Sequence, residues 1–201
     1  TELEKQRFKL VRKWAKKQKD KRALADAESA ASSTYYAASG NARANGKTFR
    51  AVRYLLWAAY YSNGAVDSAG GIKNLSTNQL DVRASICRKM WCLGQARDCV
   101  AEALSRDDIT DETRVLLLLH QARDRRWRGA REKFEEIDDI VKRGTVPALT
   151  RVRASRAKLS YWKKIKIDLI FIEGLEAETL ALAKAAKLED QVVKIRAERR
   201  Q

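Results

Sequence analysis

Four tryptophans recur along this 201-residue chain at a nearly constant interval. They are Trp57, Trp91, Trp127 and Trp162, spaced 34, 36 and 35 residues apart. A period of this length is typical of stacked helical hairpins, in which each unit must bury its apolar face against a neighbour. A glycine follows each of the first three indoles within seven residues and predicts a turn there, at Gly64, Gly94 and Gly129. We therefore expect each indole to fill the joint between two hairpins.

Apolar residues between these indoles lie at helical spacing. Leu80, Ala84, Cys87 and Trp91 fall at i, i+4, i+7 and i+11, and a second apolar face follows Gly94. Phe49, Val52, Leu56 and Ala59 likewise mark the apolar face of the first hairpin, whose second helix, 66–75, is weakened by two glycines. Together these patterns predict about four hairpins between residues 47 and 188.

Local signals place several helix ends. Ser76 and Gln79 form a capping-box pattern, and Pro147 suits the first turn of the helix predicted within 142–166. The glycine-containing segment 40–46 predicts a break after an N-terminal helix. Residues 165–172 alternate like a strand, but no second strand is available to pair with them. They are interpreted as the buried start of a final helix.

Two segments resemble a known repeat family. Residues 94–104 (GQARDCVAEAL) and 129–137 (GAREKFEEI) are similar to the turn and second helix of tetratricopeptide-type repeats. The second segment, continued to residue 147, also resembles a pentatricopeptide repeat, a basic relative that binds single-stranded RNA. The resemblance implies an all-α, right-handed superhelix. It divides the chain into a basic, alanine-rich helical segment at 1–46, repeats at 47–188 and a charged tail at 189–201.

Positive charge is the main compositional feature. Lys and Arg number 42 against 26 Asp and Glu, a formal net charge of +16, which favours an acidic partner. Residues 142–166 contain nine basic side chains and no acid, so a helix here should be positive over most of its exposed surface. The predicted contacts to nucleic acid or another anionic partner are Arg12, Lys13, Lys16, Lys17, Arg151, Arg153, Arg156, Lys158, Lys163 and Lys164.

The N-terminal segment is predicted to be a basic amphipathic helix. Leu3, Leu10, Val11 and Trp14 form a narrow apolar seam among ten basic residues in positions 1–25. Three interpretations stay open: an arm laid on phosphates, a membrane-surface or partner helix, and a capping helix whose seam packs on the repeats.

Catalytic and metal-binding patterns are not found in the sequence. Residues 40–48 approach the phosphate-binding G-x4-G-K-[ST] loop, but five residues separate the glycines instead of four. Cys87, Cys92, Cys99 and His120 match no common zinc spacing. No catalytic residue, metal or cofactor is therefore predicted.

The compartment follows from cysteine usage and hydropathy. An odd number of cysteines argues against a disulfide framework and for a reducing environment. The first residues lack the apolar run of a secretory peptide, and no stretch is apolar enough for a membrane span. The expected location is intracellular: cytoplasmic, or associated with a nucleoid or a virion.

These observations favour a binding role. The predicted function is a non-catalytic adaptor or scaffold that docks another protein through its superhelical face, within a nucleoprotein assembly. The alternative is direct binding of RNA or DNA by the basic helices. A membrane partner is not expected, and the oligomeric state stays open.

Overall fold

The protein is all-α in the part that a computed structural model describes, residues 2–107, 109–123, 129–165 and 169–199, with side chains except at 2–5, 194 and 197–199. These residues form ten α-helices and one 3-10 turn, and no strand occurs among them. The all-α prediction is confirmed. The chain divides into two compact units, unit 1 up to Asp107 and unit 2 from residue 108 onward. The predicted boundaries at residues 46 and 188 both fall inside a unit.

Unit 1 contains five of the helices. They are α1 (Glu2–Gln18), α2 (Lys21–Ala44), α3 (Thr48–Ala69), α4 (Thr77–Lys89) and α5 (Leu93–Leu104), with the 3-10 turn Ile72–Asn74 between α3 and α4. The longest, α2 and α3, form an antiparallel hairpin. Ser32 Oγ donates to the carbonyl of Ala58 at 2.9 Å, and Ser39 Oγ donates to the carbonyl of Ala51 at 2.7 Å. Small buried residues, including Ala31 and Ala58, let the two backbones approach closely.

The break predicted at 40–46 is confirmed, although it lies at the end of that segment, and the turn predicted at Gly64 is wrong. The helix α2 continues through Gly40 to Ala44, and the turn is made by Asn45 and Gly46, whose φ is 70°. Gly64 lies inside α3, so the predicted second helix at 66–75 is also wrong. A Cβ at Gly64 would lie 2.9 Å from the Glu28 carboxylate, which is 4% exposed. This glycine therefore provides space for a buried side chain and does not end the helix.

The two helical glycines of this hairpin should respond oppositely to alanine. Gly40→Ala meets nothing within 4 Å, so the better helix former should raise the free energy of unfolding by about 1 kcal/mol. Gly64→Ala should lose that gain and be net destabilising, because the new methyl group displaces the Glu28 carboxylate. Urea denaturation of both variants tests this difference. Equal stabilisation by the two substitutions would contradict the proposed role of Gly64.

The hairpin of α4 and α5 begins as predicted. Ser76 caps α4 with a capping box, in which the Ser76 N–H donates to Gln79 Oε1 at 2.7 Å and the Gln79 N–H donates to Ser76 Oγ at 3.4 Å. The turn, however, is made by Trp91, at a φ of 62°, and Gly94 lies in the first turn of α5. The Cys92 N–H donates to the carbonyl of Cys87 at 2.8 Å and closes the end of α4. The Trp91 side chain is 84% exposed, so it fills no joint in unit 1.

The left-handed backbone at Trp91 yields a second stability prediction. Glycine adopts this conformation without the steric cost of a Cβ, so Trp91→Gly should be more stable to unfolding than Trp91→Ala by about 1 kcal/mol. Both variants lose the same indole, which isolates the backbone effect. At Lys89, the last residue of α4, the order should reverse and alanine should be the more stable. A glycine variant at position 91 less stable than the alanine variant would contradict the assignment.

Unit 2 contains the other five helices described. They are α6 (Asp111–Arg123), α7 (Ala130–Lys142), α8 (Ala148–Lys164), α9 (Leu169–Ala185) and α10 (Glu189–Arg199). Here α6 packs with α7 and α8, α8 with α9, and α9 with α10. Gly129, at a φ of 88°, immediately precedes α7, and α8 begins directly after Pro147. The turn predicted at Gly129 is confirmed, as is a basic helix ending near Trp162.

The end of unit 2 differs from the prediction of one final helix. The helix α9 ends at Ala185, Lys187 adopts a φ of 54°, and the Leu188 N–H donates to the carbonyl of Ala183 at 3.0 Å. A separate helix, α10, follows. The predicted buried start is also wrong, since Leu169 and Ile170 are 75% and 79% exposed. Residues 166–168, which belong to that prediction, lie outside the described part of the chain.

Candidate macromolecule-binding surfaces

Arg12 is a packing residue of unit 1. Its Nε lies 3.1 Å from Glu28 Oε1, and the Glu28 side chain is only 5% exposed. The guanidinium carbon lies 5.9 and 5.6 Å from the ring centroids of Tyr60 and Tyr61. A hydrogen bond with Tyr60, together with the charge of Glu28, raises the pKa of Arg12. This side chain therefore holds α1 against the α2–α3 hairpin, and its predicted contact with an external anion stays a prediction.

The lysines of α1 remain available to solvent. Lys13, Lys16 and Lys17 are exposed, and no acid among the described residues forms an ion pair with them. The apolar seam of this helix does not make the packing that the capping interpretation requires. Leu10, Val11 and Trp14 are 67%, 45% and 55% exposed, and the buried side is formed by Ala15 with the half-buried Phe8 and Arg12. The Leu3 side chain lies outside the described residues.

The basic side chains of α8 are largely engaged by other helices of unit 2. Lys158 pairs with Asp138 of α7, Lys163 Nζ lies 3.2 Å from Glu176 Oε2 of α9, and Arg156 Nη1 donates to Gln191 Oε1 of α10 at 2.7 Å. Arg151 is half-buried, which leaves Arg153 and Lys164 exposed among the predicted contacts of α8. The predicted anionic contacts of α8 stay predictions, and among them the structure leaves Arg153 and Lys164 the most accessible.

The tryptophans occupy different environments. Trp57 is 41% exposed and stacks on Tyr35 at a centroid distance of 6.3 Å. Trp162 packs against a buried cluster of Leu159, Ile172 and Leu175, with Phe171 edge-on at 6.0 Å. Trp91 is exposed, and Trp127 lies outside the described residues. The period in the sequence therefore does not mark one equivalent structural position.

A cleft of about 500 Å³ lies in unit 2 beside Trp162. Its apolar walls are Phe134, Trp162 and Phe171. Two ion pairs border it, Lys158 with Asp138 and Arg131 with Glu135, whose Nε and Oε1 are 3.0 Å apart. The indole N–H of Trp162 is buried and has no acceptor among the described residues. The cleft thus combines aromatic walls with flanking ion pairs.

A further surface was not identified from the sequence. The α3 face consists of side chains that project from the first half of α3: Phe49, Arg50, Val52, Arg53, Leu56, Trp57 and Tyr60. Phe49 is 82% exposed and Val52 and Leu56 are about half exposed, at 52% and 53%. The predicted burial of these three residues is wrong, since Ala51, Ala58, Ser62 and Ala65 are the buried residues of α3. The sequence does indicate a positively charged surface here, because residues 29–66 contain no Asp or Glu.

The three cysteines form no disulfide bond with one another. Cys87 and Cys99 are buried, and Cys92 is exposed. Burial raises the pKa of the Cys99 thiol to about 11 and also raises that of Cys87. Since the thiolate is the reactive form, neither buried group is activated as a nucleophile at neutral pH. No group of three or more His, Cys, Asp or Glu side chains among the described residues is arranged to hold a metal ion.

Comparisons with known proteins do not add a family. No protein-family model, curated protein or solved structure matches the chain. The tetratricopeptide-type resemblance therefore stays a prediction. Within the described residues, no helix combines the length and the apolar content needed to cross a bilayer.

Thiol labelling should distinguish the three cysteines. In the native protein at neutral pH, a chromogenic disulfide reagent should react rapidly with Cys92 alone, because the other two thiols are buried with raised pKa values. All three should react after denaturation in guanidinium. A Cys92→Ser variant should show no fast phase. Rapid reaction of more than one thiol per native chain would contradict the burial of Cys87 or Cys99.

Proposed function

We propose that this protein is a non-catalytic adaptor that docks another protein, within a nucleoprotein assembly. The observation that supports docking is the cleft beside Trp162. Its volume of about 500 Å³ lies in the range of specific ligand sites. Buried aromatic anchors in such pockets commonly dominate the affinity of protein interfaces. An apolar or aromatic side chain of the partner fits these walls.

The polar groups around the cleft agree with a docking role. The flanking ion pairs provide the polar rim that surrounds an interface core. Because Lys158 and Arg131 are each engaged with a carboxylate, the cleft favours binding over acid–base catalysis.

Further observations support the remaining parts of the proposal. The hairpins α4–α5 and α6–α7 are consistent with repeats of a right-handed superhelix, and free cysteines are consistent with a reducing compartment. The net charge of +16 and the exposed lysines of α1, as a basic N-terminal helix, support placement beside nucleic acid. The second candidate function is direct binding of RNA or DNA by the basic helices. Lys13, Lys16 and Lys17 favour it on α1, whereas the paired residues of α8 do not.

The cleft can be tested by a charge placed on its wall. Phe171 lines the cleft and is 48% exposed. Phe171→Glu should weaken capture of the partner protein from a native extract about tenfold or more, as expected for a central anchor. Leu169→Glu is the matched control, because Leu169 is 75% exposed on the same helix and does not line the cleft. Quantitative proteomics of both captures, after nuclease treatment, measures the difference.

Three outcomes contradict the adaptor proposal. The partner could survive Phe171→Glu, it could be lost equally from the Leu169 variant, or nuclease alone could remove it. The last result would show that nucleic acid bridges the two proteins. Thermal melting of each variant verifies that unit 2 stays folded.

A further inference from the structure

The α3 face has a regular arrangement of rings and cations. Phe49, Arg53, Leu56 and Tyr60 lie at i, i+4, i+7 and i+11, which places them in one stripe along the helix. Trp57 and Arg50 border one side of this stripe and Val52 the other. The eleven helical steps from Phe49 to Tyr60 correspond to a rise of about 16 Å. The guanidinium group of Arg53 therefore lies between the rings of Phe49 and Tyr60. The length of this row matches a few nucleotides of a single strand.

The rings at the far end of the stripe are held by neighbouring side chains. Trp57 stacks on Tyr35 of α2 with an interplanar angle of 28°, and Tyr60 meets Trp57 edge-on at 85°. Arg12 of α1 lies over Tyr60. Trp57 and Tyr60 nevertheless keep 41% and 54% of their surface exposed. Rings fixed in this way lose little conformational freedom when a flat ligand group packs on them.

The charge around the face has one sign. Arg43, Lys47, Arg50 and Arg53 are all exposed, and the sequence from 29 to 66 contains no acid that could neutralise them locally. The face is therefore complementary to a ligand that carries regularly spaced negative charges. A nucleic-acid strand carries both groups that this face can bind: phosphates, which suit the cations, and flat bases, which suit the rings.

We propose that the α3 face binds single-stranded RNA or DNA, with bases stacked on the exposed rings and phosphates contacted by Arg50, Arg53 and their neighbours. Unpaired bases are required, because rings on a helix surface cannot reach bases stacked inside a duplex. A lipid surface fits less well, since Arg53 lies among the apolar residues that would have to insert. This inference does not depend on the cleft of unit 2, and it places the nucleic-acid contact on a helix that was not predicted to make it.

Oligonucleotide binding by the full chain tests the proposal. Fluorescence anisotropy with labelled oligo(U) and oligo(dT) of about 12 nucleotides, and with a duplex of equal length, compares the ligands at about 50 and 200 mM salt. Phe49→Leu keeps an apolar side chain but removes the ring, and it should lower single-strand affinity about tenfold. It should not unfold the protein, because Phe49 is 82% exposed.

A charge-matched pair separates the α3 face from α1. Arg53→Gln and Lys13→Gln each remove one exposed cation. Arg53→Gln should weaken binding by a larger factor and reduce its salt dependence by about one phosphate contact. Phe171→Glu in unit 2 should leave oligonucleotide binding unchanged, so failure here and failure of the adaptor proposal are distinguishable. Binding of either sugar supports the proposal, and the tighter ligand identifies the preferred one.

The overturning results are equally specific. Duplex bound as tightly as single strands, Phe49→Leu binding like the unaltered protein, or Lys13→Gln weakening binding as much as Arg53→Gln would each falsify stacking on this face. Displacement of the oligonucleotide by an equal charge of a glutamate-only peptide would show instead that the face recognises acidic protein.

Discussion

The buried carboxylate of Glu28 is the interaction on which unit 1 depends. A carboxylate removed from water is costly unless it is paired and hydrogen-bonded. Glu28 meets both conditions, with Arg12 of α1 at 3.1 Å and with Ser68 Oγ of α3, which donates to Oε2 at 2.9 Å. Two helices, α1 and α3, thus satisfy one charge on α2. The absence of a side chain at Gly64 is part of the same arrangement, because it leaves room for the carboxylate between α2 and α3.

The composition of α2 explains why α3 exposes large residues. Apart from Glu28, the buried residues of α2 are alanine and serine, and none of them is a large apolar residue. Serine hydroxyls donate directly to carbonyls of α3, and such close backbones leave no space for large side chains between them. The small residues of α3 therefore face α2, and its bulky apolar residues project elsewhere. An apolar period along a helix shows that one face differs from the other, but not which face is buried.

Helix caps and turns could be predicted from the sequence, whereas contacts between residues far apart in the chain could not. The capping box at Ser76 and the turn at Gly129 depend on residues within a few positions, and both are found in the structure. The role of Gly64 could not be predicted, because it depends on Glu28, 36 residues earlier in the sequence. The same limit applied to α8, whose acid-free sequence gave no sign that Asp138 and Glu176 would reach it from other helices. For the candidate site, the excess of Lys and Arg indicated an anionic partner. Only the structure shows which of these side chains are exposed and able to contact it.

The contrast between the paired cations of α8 and the solvated ones of α1 has a practical consequence for handling the protein. Mobile ions shorten the reach of exposed charges to about 3 Å at 1 M salt, whereas partly buried pairs are screened far less. In the pair of Lys163 and Glu176 the side chains are only 31% and 13% exposed. A concentrated sodium chloride wash during purification should thus release polyanions carried over from the host cell while these internal pairs stay intact. The ratio of ultraviolet absorbance at 260 and 280 nm, measured before and after the wash, shows how much nucleic acid was bound to the protein.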